Sequence, residues 1–129
     1  SLFTVDIRSP DINKLVKMEN ELKQMTTDIC KKYKIEFEMD QIGGFDPVAF
    51  DKECLNNIRN SANKFGYSHK DIVSGAGHDA CWINTVAPSA MIMCPCVDGL
   101  SHNEAEEIKP EWASSSTNVM LHAAIASAT

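Results

Sequence analysis

The chain has 129 residues, a net charge of −6 and 43% hydrophobic residues, which is enough for one globular domain with a core. The acidic balance argues against a nucleic-acid-binding role, because no basic stripe is present to neutralise phosphates. No apolar run approaches a membrane span and no signal peptide is evident, so we expect a cytoplasmic protein without a membrane partner. The five cysteines are irregularly spaced, and we expect reduced, mostly buried thiols rather than a disulfide framework.

The first 42 residues are predicted to form a strand–helix–strand unit. Residues 2–8 are rich in β-branched and aromatic side chains, which favours a strand. A helix over residues 10–33 follows, with Ser9 as its cap and apolar side chains at spacings of three and four. This stripe consists of Leu15, Met18, Leu22, Met25 and Ile29. Residues 34–40 alternate polar and apolar side chains, as a strand with one wet face does.

The Gly43-Gly44 pair marks a predicted boundary, after which residues 43–129 alternate helices with short strands. Gly66 is expected to end the second helix of the chain. Helices are predicted over 51–65, 79–86 and 111–128, and strands over 71–74 and 90–94. The strand at 90–94 is almost wholly apolar, which is typical of a strand buried on both faces. Because this part of the chain offers only one other strand, the pattern implies partner strands in another chain or a longer polypeptide.

The glycine-rich segment 74–80, Ser-Gly-Ala-Gly-His-Asp-Ala, is the first candidate site. It follows a predicted strand, and the ends of strands are where α/β proteins collect their catalytic groups. Gly75 and Gly77 allow the backbone to approach a ligand closely, and His78 can hydrogen-bond a carbonyl or stabilise an oxyanion. A histidine that merely begins a helix beside Asp79 explains the same pattern.

Two further side chains are candidates. His102 lies between a glycine turn and several acidic residues, and neutral imidazole is a common metal ligand. A catalytic zinc site, however, takes about three protein ligands from several segments. Arg8 ends the first predicted strand two residues after Asp6. It can clamp a carboxylate, although on spacing alone a surface ion pair with Asp6 is preferred.

Four short sequence stretches, taken together in their order along the chain, are more specific for a protein family than any one of them alone. They are Val5-Asp6-Ile7-Arg8, Ser74 to Ala80, Pro88 to Pro95 and Asp98 to Asn103. The combination resembles the C-terminal part of the N-carbamoyl-L-amino-acid hydrolases, a group that includes allantoate amidohydrolases and β-ureidopropionase within the M20 metallopeptidase-like superfamily. The resemblance extends over essentially the whole chain, and the Ser-Gly-Ala-Gly-His-Asp-Ala stretch is its most specific part.

The resemblance implies an α/β fold class with two domains. Residues 1–42 would form part of an α+β lid domain that also makes a homodimer. Residues 43–129 would form the C-terminal part of the catalytic α/β domain. This division agrees with the boundary at Gly43-Gly44 and with the missing strand partners.

The resemblance also assigns roles to individual residues. Arg8 would hold the substrate carboxylate, and Gly77 would face the substrate through its backbone. His78 would contact the substrate and help to stabilise the tetrahedral intermediate, and His102 would be the last ligand of a zinc or manganese centre. The family's other metal ligands and its general-base glutamate lie upstream and have no counterpart in this chain.

The sequence thus predicts a metal-dependent amidohydrolase that cleaves linear amide C–N bonds of N-carbamoyl amino acids or allantoate. This chain would carry only the C-terminal part of the site and be inactive alone. Its expected partners are a small substrate with a carboxylate, a second copy bound through the lid, and a missing N-terminal part. Two alternatives stay open: a catalytically incomplete binding or dimerisation module, and another M20-type amidase or peptidase.

Overall fold

The computed structural model describes residues 1–128 and is helical throughout its regular parts. Its elements are α1 (Ile12–Tyr33), α2 (Lys52–Lys64), α3 (Asp79–Ile83), a short 3-10 turn (Val97–Gly99) and α4 (Pro110–Ser127). The chain divides into two compact units. The first comprises Ser1–Val48 with Val73–Ala76, and the second comprises Ala49–Ile72 with Gly77–Thr129. The first unit therefore contains α1 and the second contains α2, α3 and α4.

Helix α1 begins two residues later than predicted because a different side chain caps it. The carboxylate of Asp11 accepts hydrogen bonds from the backbone N–H groups of Asn13 (2.9 Å) and Lys14 (3.3 Å). The predicted cap, Ser9, accepts instead from the N–H of Asp11 at 3.1 Å. A carboxylate at this position satisfies two N–H groups that have no partner inside the helix.

The C-terminus of α1 closes through a left-handed residue that is not glycine. Lys34 has a φ of 55°, and its N–H donates to the carbonyl of Lys31. The N–H of Ile35 reaches back to the carbonyl of Cys30 at 2.9 Å. This pair of bonds is a Schellman closure, which usually places glycine where Lys34 lies.

Helices α2 and α4 pack against each other, and the buried side chains of the second unit lie at their contact. Ala62 on α2 is 3% exposed, and Val119 on α4 is 5% exposed. Ser61 and Ala123 are also buried. Three of these four side chains are small, so the two helix backbones approach each other closely.

The two helices run antiparallel, as the contacts along their length establish. The Nδ2 of Asn57, early in α2, donates to the Oγ of Ser127 at the end of α4 (3.0 Å). At the other end, the ring of Phe65 lies 4.6 Å from the ring of His122 between centroids. His122 therefore packs against the residue that follows α2.

Gly66 ends α2 as predicted. It adopts a left-handed φ of 70°, which glycine reaches without a steric penalty. Its N–H donates to the carbonyl of Asn63, and the N–H of Tyr67 donates to Ala62, both at 3.0 Å. The bounds predicted for α2 and α4 are correct to within one residue. The short helix predicted over 79–86 ends at Ile83 and continues only as turns.

None of the predicted strands forms within residues 1–128. The segments concerned are 2–8, 34–40, 71–74 and 90–94, and all are irregular. The α/β class is therefore not confirmed by this chain. The physical reason is that a strand exists only through hydrogen bonds to a neighbouring strand, and the chain brings no two of these segments into register.

The apolar stripe predicted to form the core face of α1 is largely exposed. Met25 is 62% exposed and Ile29 is 51% exposed, and no residue of α1 is buried. The five cysteines are half-buried rather than buried, and none forms a disulfide. No helix within residues 1–128 combines the length and the apolar character needed to cross a membrane.

Candidate functional site

Arg8 lies in the irregular segment before α1, and its guanidinium is already held by two partners. Its Nε donates to both carboxylate oxygens of Asp6, at 3.1 and 3.0 Å, and its Nη2 donates to Oδ2 at 2.5 Å. Its Nη1 donates to the carbonyl oxygen of Gly75 at 2.5 Å. Asp6 binds the side edge of the guanidinium, while Gly75 binds one of its terminal nitrogens.

The Asp6–Arg8 pair is exposed, and its electrostatics are those of a hydrogen-bonded ion pair. The hydrogen bond from Arg8 lowers the pKa of the Asp6 carboxyl, and the same bond raises the pKa of the guanidinium. Both groups are therefore charged at neutral pH. Because solvent screens the pair, it contributes little to stability, and its significance lies in where it holds the Arg8 side chain.

The contact with Gly75 joins two motifs that are 67 residues apart in the sequence. Gly75 lies in a tight turn that the side chain of Ser74 closes. The Ser74 Oγ accepts from the N–H of Ala76 at 3.2 Å and donates to its carbonyl at 3.3 Å. Residues 73–76 belong to the same compact unit as Arg8. The structure thus brings the arginine predicted to bind a carboxylate to the glycine-rich segment.

His78 directly precedes α3 in the second unit. Its backbone is extended (φ −139°, ψ 155°), and its carbonyl accepts from the N–H of Cys81 at 2.9 Å. The residue is half-buried, whereas Gly77 before it is exposed. His78 therefore occupies a fixed backbone position at the start of a short helix. This position is equally consistent with a histidine that only begins the helix beside Asp79 and binds no ligand.

Two polar side chains anchor the segment that His78 begins. The Oγ of Ser89 donates toward the carbonyl of Ala80 (3.3 Å) and the Oδ1 of Asn84 (3.1 Å). The Nδ2 of Asn84 donates in turn to the carbonyl of Ala49 at 3.1 Å. These bonds tie α3 to the residues before α2, within the same unit.

His102 lies in an exposed loop and has a left-handed φ of 55°. Its N–H donates to Oε2 of Glu106 at 2.9 Å, and the other oxygen of that carboxylate accepts from the Cys96 thiol at 3.6 Å. Asn103 closes the turn by accepting from the N–H of Ala105 at 2.9 Å. The loop conformation that carries His102 therefore depends on one carboxylate and one amide.

The described residues, 1–128, do not by themselves form a metal site. No group of three histidine, cysteine, aspartate or glutamate side chains converges within residues 1–128. His102 is one imidazole on an exposed loop, whereas a catalytic zinc needs about three protein ligands. The Cys96 thiol nearby is a poor substitute, because burial and the hydrogen bond to Glu106 raise its pKa and metals bind the thiolate.

The exposed ion pair of Arg8 with Asp6, which spacing alone favours, is present, because residues two apart in an extended segment lie on one face. Sequence reasoning missed the role of Glu106. Glu106 gave one signal, its position four residues after a histidine in a glycine-containing turn. Its two hydrogen bonds come from the folded loop and could not be read from that spacing.

Comparison with known proteins defines the class. The chain belongs to Peptidase family M20/M25/M40, whose sequence profile matches residues 3–126. This confirms the superfamily inferred from the four sequence stretches.

Within that family the chain is similar to the carbamoylases. It is 50% identical over 127 residues to an N-carbamoyl-L-amino-acid amidohydrolase from Rhizobium meliloti, covering 98% of this chain and 30% of the relative. It is 31% identical over 104 residues to the allantoate amidohydrolase of Escherichia coli, covering 81% of this chain and 25% of the relative.

Solved structures agree with the sequence relatives. The crystal structure of an amidase of the hydantoinase/carbamoylase family from Burkholderia multivorans matches 90% of this chain and 28% of its own, with a TM-score of 0.86 and 47% identity. The chain therefore has the fold of the corresponding part of these enzymes. It spans 30% or less of the length of each relative named here.

Proposed function

We propose that the chain forms the carboxylate-binding side of an amidohydrolase site that cleaves N-carbamoyl amino acids or allantoate. The single observation that carries this proposal is the hydrogen bond from Arg8 to the carbonyl of Gly75. It places a guanidinium, the side chain best suited to bind a carboxylate in two-point fashion, at the glycine-rich turn. The names of the relatives supply the chemical class of the substrate.

In this proposal three residues act directly on the substrate. Arg8 binds its carboxylate. Gly77, which has no side chain to obstruct a ligand, presents its backbone to it. His78 donates a hydrogen bond to the oxygen of the carbonyl under attack, and a donor aimed at developing negative charge accelerates acyl-type reactions.

The rest of the site would come from outside this chain. We call the assembly of this chain with the remaining part of the family fold, on one polypeptide or on two, the complete enzyme. Metal dependence on zinc or manganese is proposed for the complete enzyme only, with His102 as one ligand among others that this chain lacks. A homodimer through residues 1–42, the lid assignment of those residues and a cytoplasmic location belong to the same proposal.

Hydrolysis of N-carbamoyl amino acids and allantoate tests the proposal. The chain alone should release no ammonia, and the complete enzyme should turn over at least one of these substrates. His78→Ala in the complete enzyme should lower kcat by about 100-fold. The matched control is His69→Ala, because His69 is an exposed histidine outside the proposed site, and its ring lies within hydrogen-bonding distance of the backbone carbonyl of Tyr67. Turnover by the chain alone, or equal effects of the two variants, would contradict the proposal.

Metal removal tests the dependence separately. Chelation should abolish turnover by the complete enzyme, and manganese or zinc should restore it. The chain alone should not retain stoichiometric metal after dialysis, because three ligands do not converge within residues 1–128. Full activity of the chelated complete enzyme would refute metal dependence while leaving the substrate assignment intact.

A second candidate is a binding or assembly module without catalysis, which is favoured by the exposed apolar face of α1. Sedimentation and metal analysis separate the two. A metal-free, tightly associated dimer that stays inactive with the rest of the family fold supports the module. Turnover after assembly excludes it.

A further inference from the structure

The guanidinium of Arg8 is only partly used by its partners in the structure. A guanidinium carries five N–H groups: one on Nε and two on each terminal nitrogen. Asp6 takes the Nε group and one on Nη2, and the carbonyl of Gly75 takes one on Nη1. One N–H therefore remains on each terminal nitrogen, and each of these can donate to a second carboxylate.

We propose that Asp6 is a positioning residue, which fixes the side edge of the Arg8 guanidinium so that its remaining terminal N–H groups bind the substrate carboxylate. This inference rests on the proposed function, in which Arg8 binds that carboxylate. An arginine side chain is long and loses much conformational freedom when a ligand immobilises it. A side chain already held by Asp6 and Gly75 loses less on binding, which raises the affinity for the substrate.

The geometry distinguishes positioning from simple competition. A competitor would occupy the N–H groups that the substrate needs, and its removal would tighten binding. Asp6 occupies the Nε edge and leaves both terminal nitrogens with a free N–H, so its removal should weaken binding instead. The exposure of the pair, 62% for the Arg8 side chain and 61% for that of Asp6, means that Asp6→Asn should leave the fold intact.

The second unit supplies a matched control. Arg59 binds Asp71 with the same side-on geometry, from Nε to Oδ1 at 3.0 Å and from Nη2 to Oδ2 at 2.7 Å. Asp71→Asn therefore breaks a side-on pair of the same geometry outside the proposed site, and it should leave the kinetics unchanged.

The experiment measures kcat and KM of the complete enzyme with an N-carbamoyl amino acid and with the corresponding N-carbamoyl amino-acid amide, which keeps the carbamoyl group but carries a neutral carboxamide in place of the carboxylate. Arg8→Gln should raise KM for the carboxylate substrate by about 100-fold, and Asp6→Asn should raise it by about 10-fold with kcat within about twofold. Asp6→Glu should restore part of the loss. Neither Asp6→Asn nor Arg8→Gln should change KM for the amide.

The double variant provides the decisive comparison. If Asp6 acts only through Arg8, adding Asp6→Asn to Arg8→Gln should raise KM no further. Additive effects, or an unchanged or lowered KM in Asp6→Asn alone, would overturn the role of Asp6 and leave Arg8 as the carboxylate-binding residue. An unchanged KM in Arg8→Gln would overturn the proposed substrate contact itself, and the inference with it.

Discussion

Three non-glycine residues among those described adopt the left-handed backbone conformation: Lys34, Asp98 and His102. This conformation crowds the Cβ atom of an L-residue against the following carbonyl, so neighbouring groups must hold it. Glu106 does so for His102 through the backbone N–H. For Lys34, the closing hydrogen bonds of α1 do so. The left-handed backbone at His102 coincides with a predicted functional residue, whereas the left-handed backbone at Lys34 closes the C-terminus of α1.

Lys34→Gly should stabilise the first unit. Glycine adopts the φ of 55° at this position without a Cβ penalty, so the free energy of unfolding should rise by up to about 1 kcal/mol. Thermal unfolding followed by far-UV circular dichroism measures it. Lys31→Gly is the matched control, because that position is helical and glycine there should destabilise by about 1 kcal/mol. Destabilisation by Lys34→Gly would contradict the assigned helix closure.

The Arg59–Asp71 pair should make stability depend on pH. The hydrogen bond from Arg59 lowers the pKa of Asp71 in the folded chain, so the pair stabilises the fold above the unfolded pKa of about 4. That contribution is lost as the pH falls through the lower folded pKa.

Asp71→Asn should therefore lower the melting temperature slightly at pH 7. The difference from the unchanged chain should shrink toward zero as the pH falls through the lowered folded pKa of Asp71, where Asp71 becomes neutral like the asparagine that replaces it. Melting temperatures measured from pH 7 to pH 3 check this convergence. A difference that grows at acid pH would show that the sign of the pKa change is wrong.

At the scale of elements, the helices were predictable and the strands were not. Capping groups, Gly66 and the 3.6-residue periodicity are local signals, and they located α2 and α4 to within one residue. Strand formation depends on a partner strand, and residues 90–94 pair with none among residues 1–128. Helix α1 also lacks a packing partner for its apolar face. Its length was predicted well, but that face is largely exposed.

Among truncations to alanine in α4, Val119→Ala should lower the free energy of unfolding most. The side chain is 5% exposed at the contact with α2, and its truncation should lower the free energy of unfolding by about 2 kcal/mol. Urea unfolding of the chain measures it. Met120→Ala is the matched control, because the neighbouring side chain is 56% exposed and its loss should cost under about 0.5 kcal/mol. Equal effects would refute the α2–α4 core.

At the scale of the whole molecule, the chain buries little and exposes much apolar surface. Leu2 is 99% exposed and Val86 is 86% exposed. Large exposed apolar patches on soluble proteins usually mark surfaces that another part of the assembly covers. The relatives, of which the chain spans 30% or less, are long enough to provide that cover.

The chain alone should therefore bind a hydrophobic dye such as anilinonaphthalene sulfonate, and the complete enzyme should bind much less. Ile29→Lys should reduce the dye fluorescence of the chain, because Ile29 lies on the exposed face of α1. Asn20→Lys adds the same charge to an exposed polar position of α1 and should change it little. Equal dye binding by the chain and the complete enzyme would contradict coverage of this surface.

The sequence by itself determined the family, the helices and the candidate residues, because these depend on local periodicity, capping groups and short motifs. Spacing alone predicted that Arg8 forms a surface ion pair, and only the resemblance to a family predicted that it binds the substrate. Tertiary structure alone decided that Arg8 meets Gly75 across 67 residues, that Glu106 holds His102, and that the predicted strands stay unpaired. The contact of Arg8 and the missing strand pairs depend on groups distant in the sequence or outside the chain, and the Glu106 contact depends on the folded shape of the loop; no local pattern encodes these.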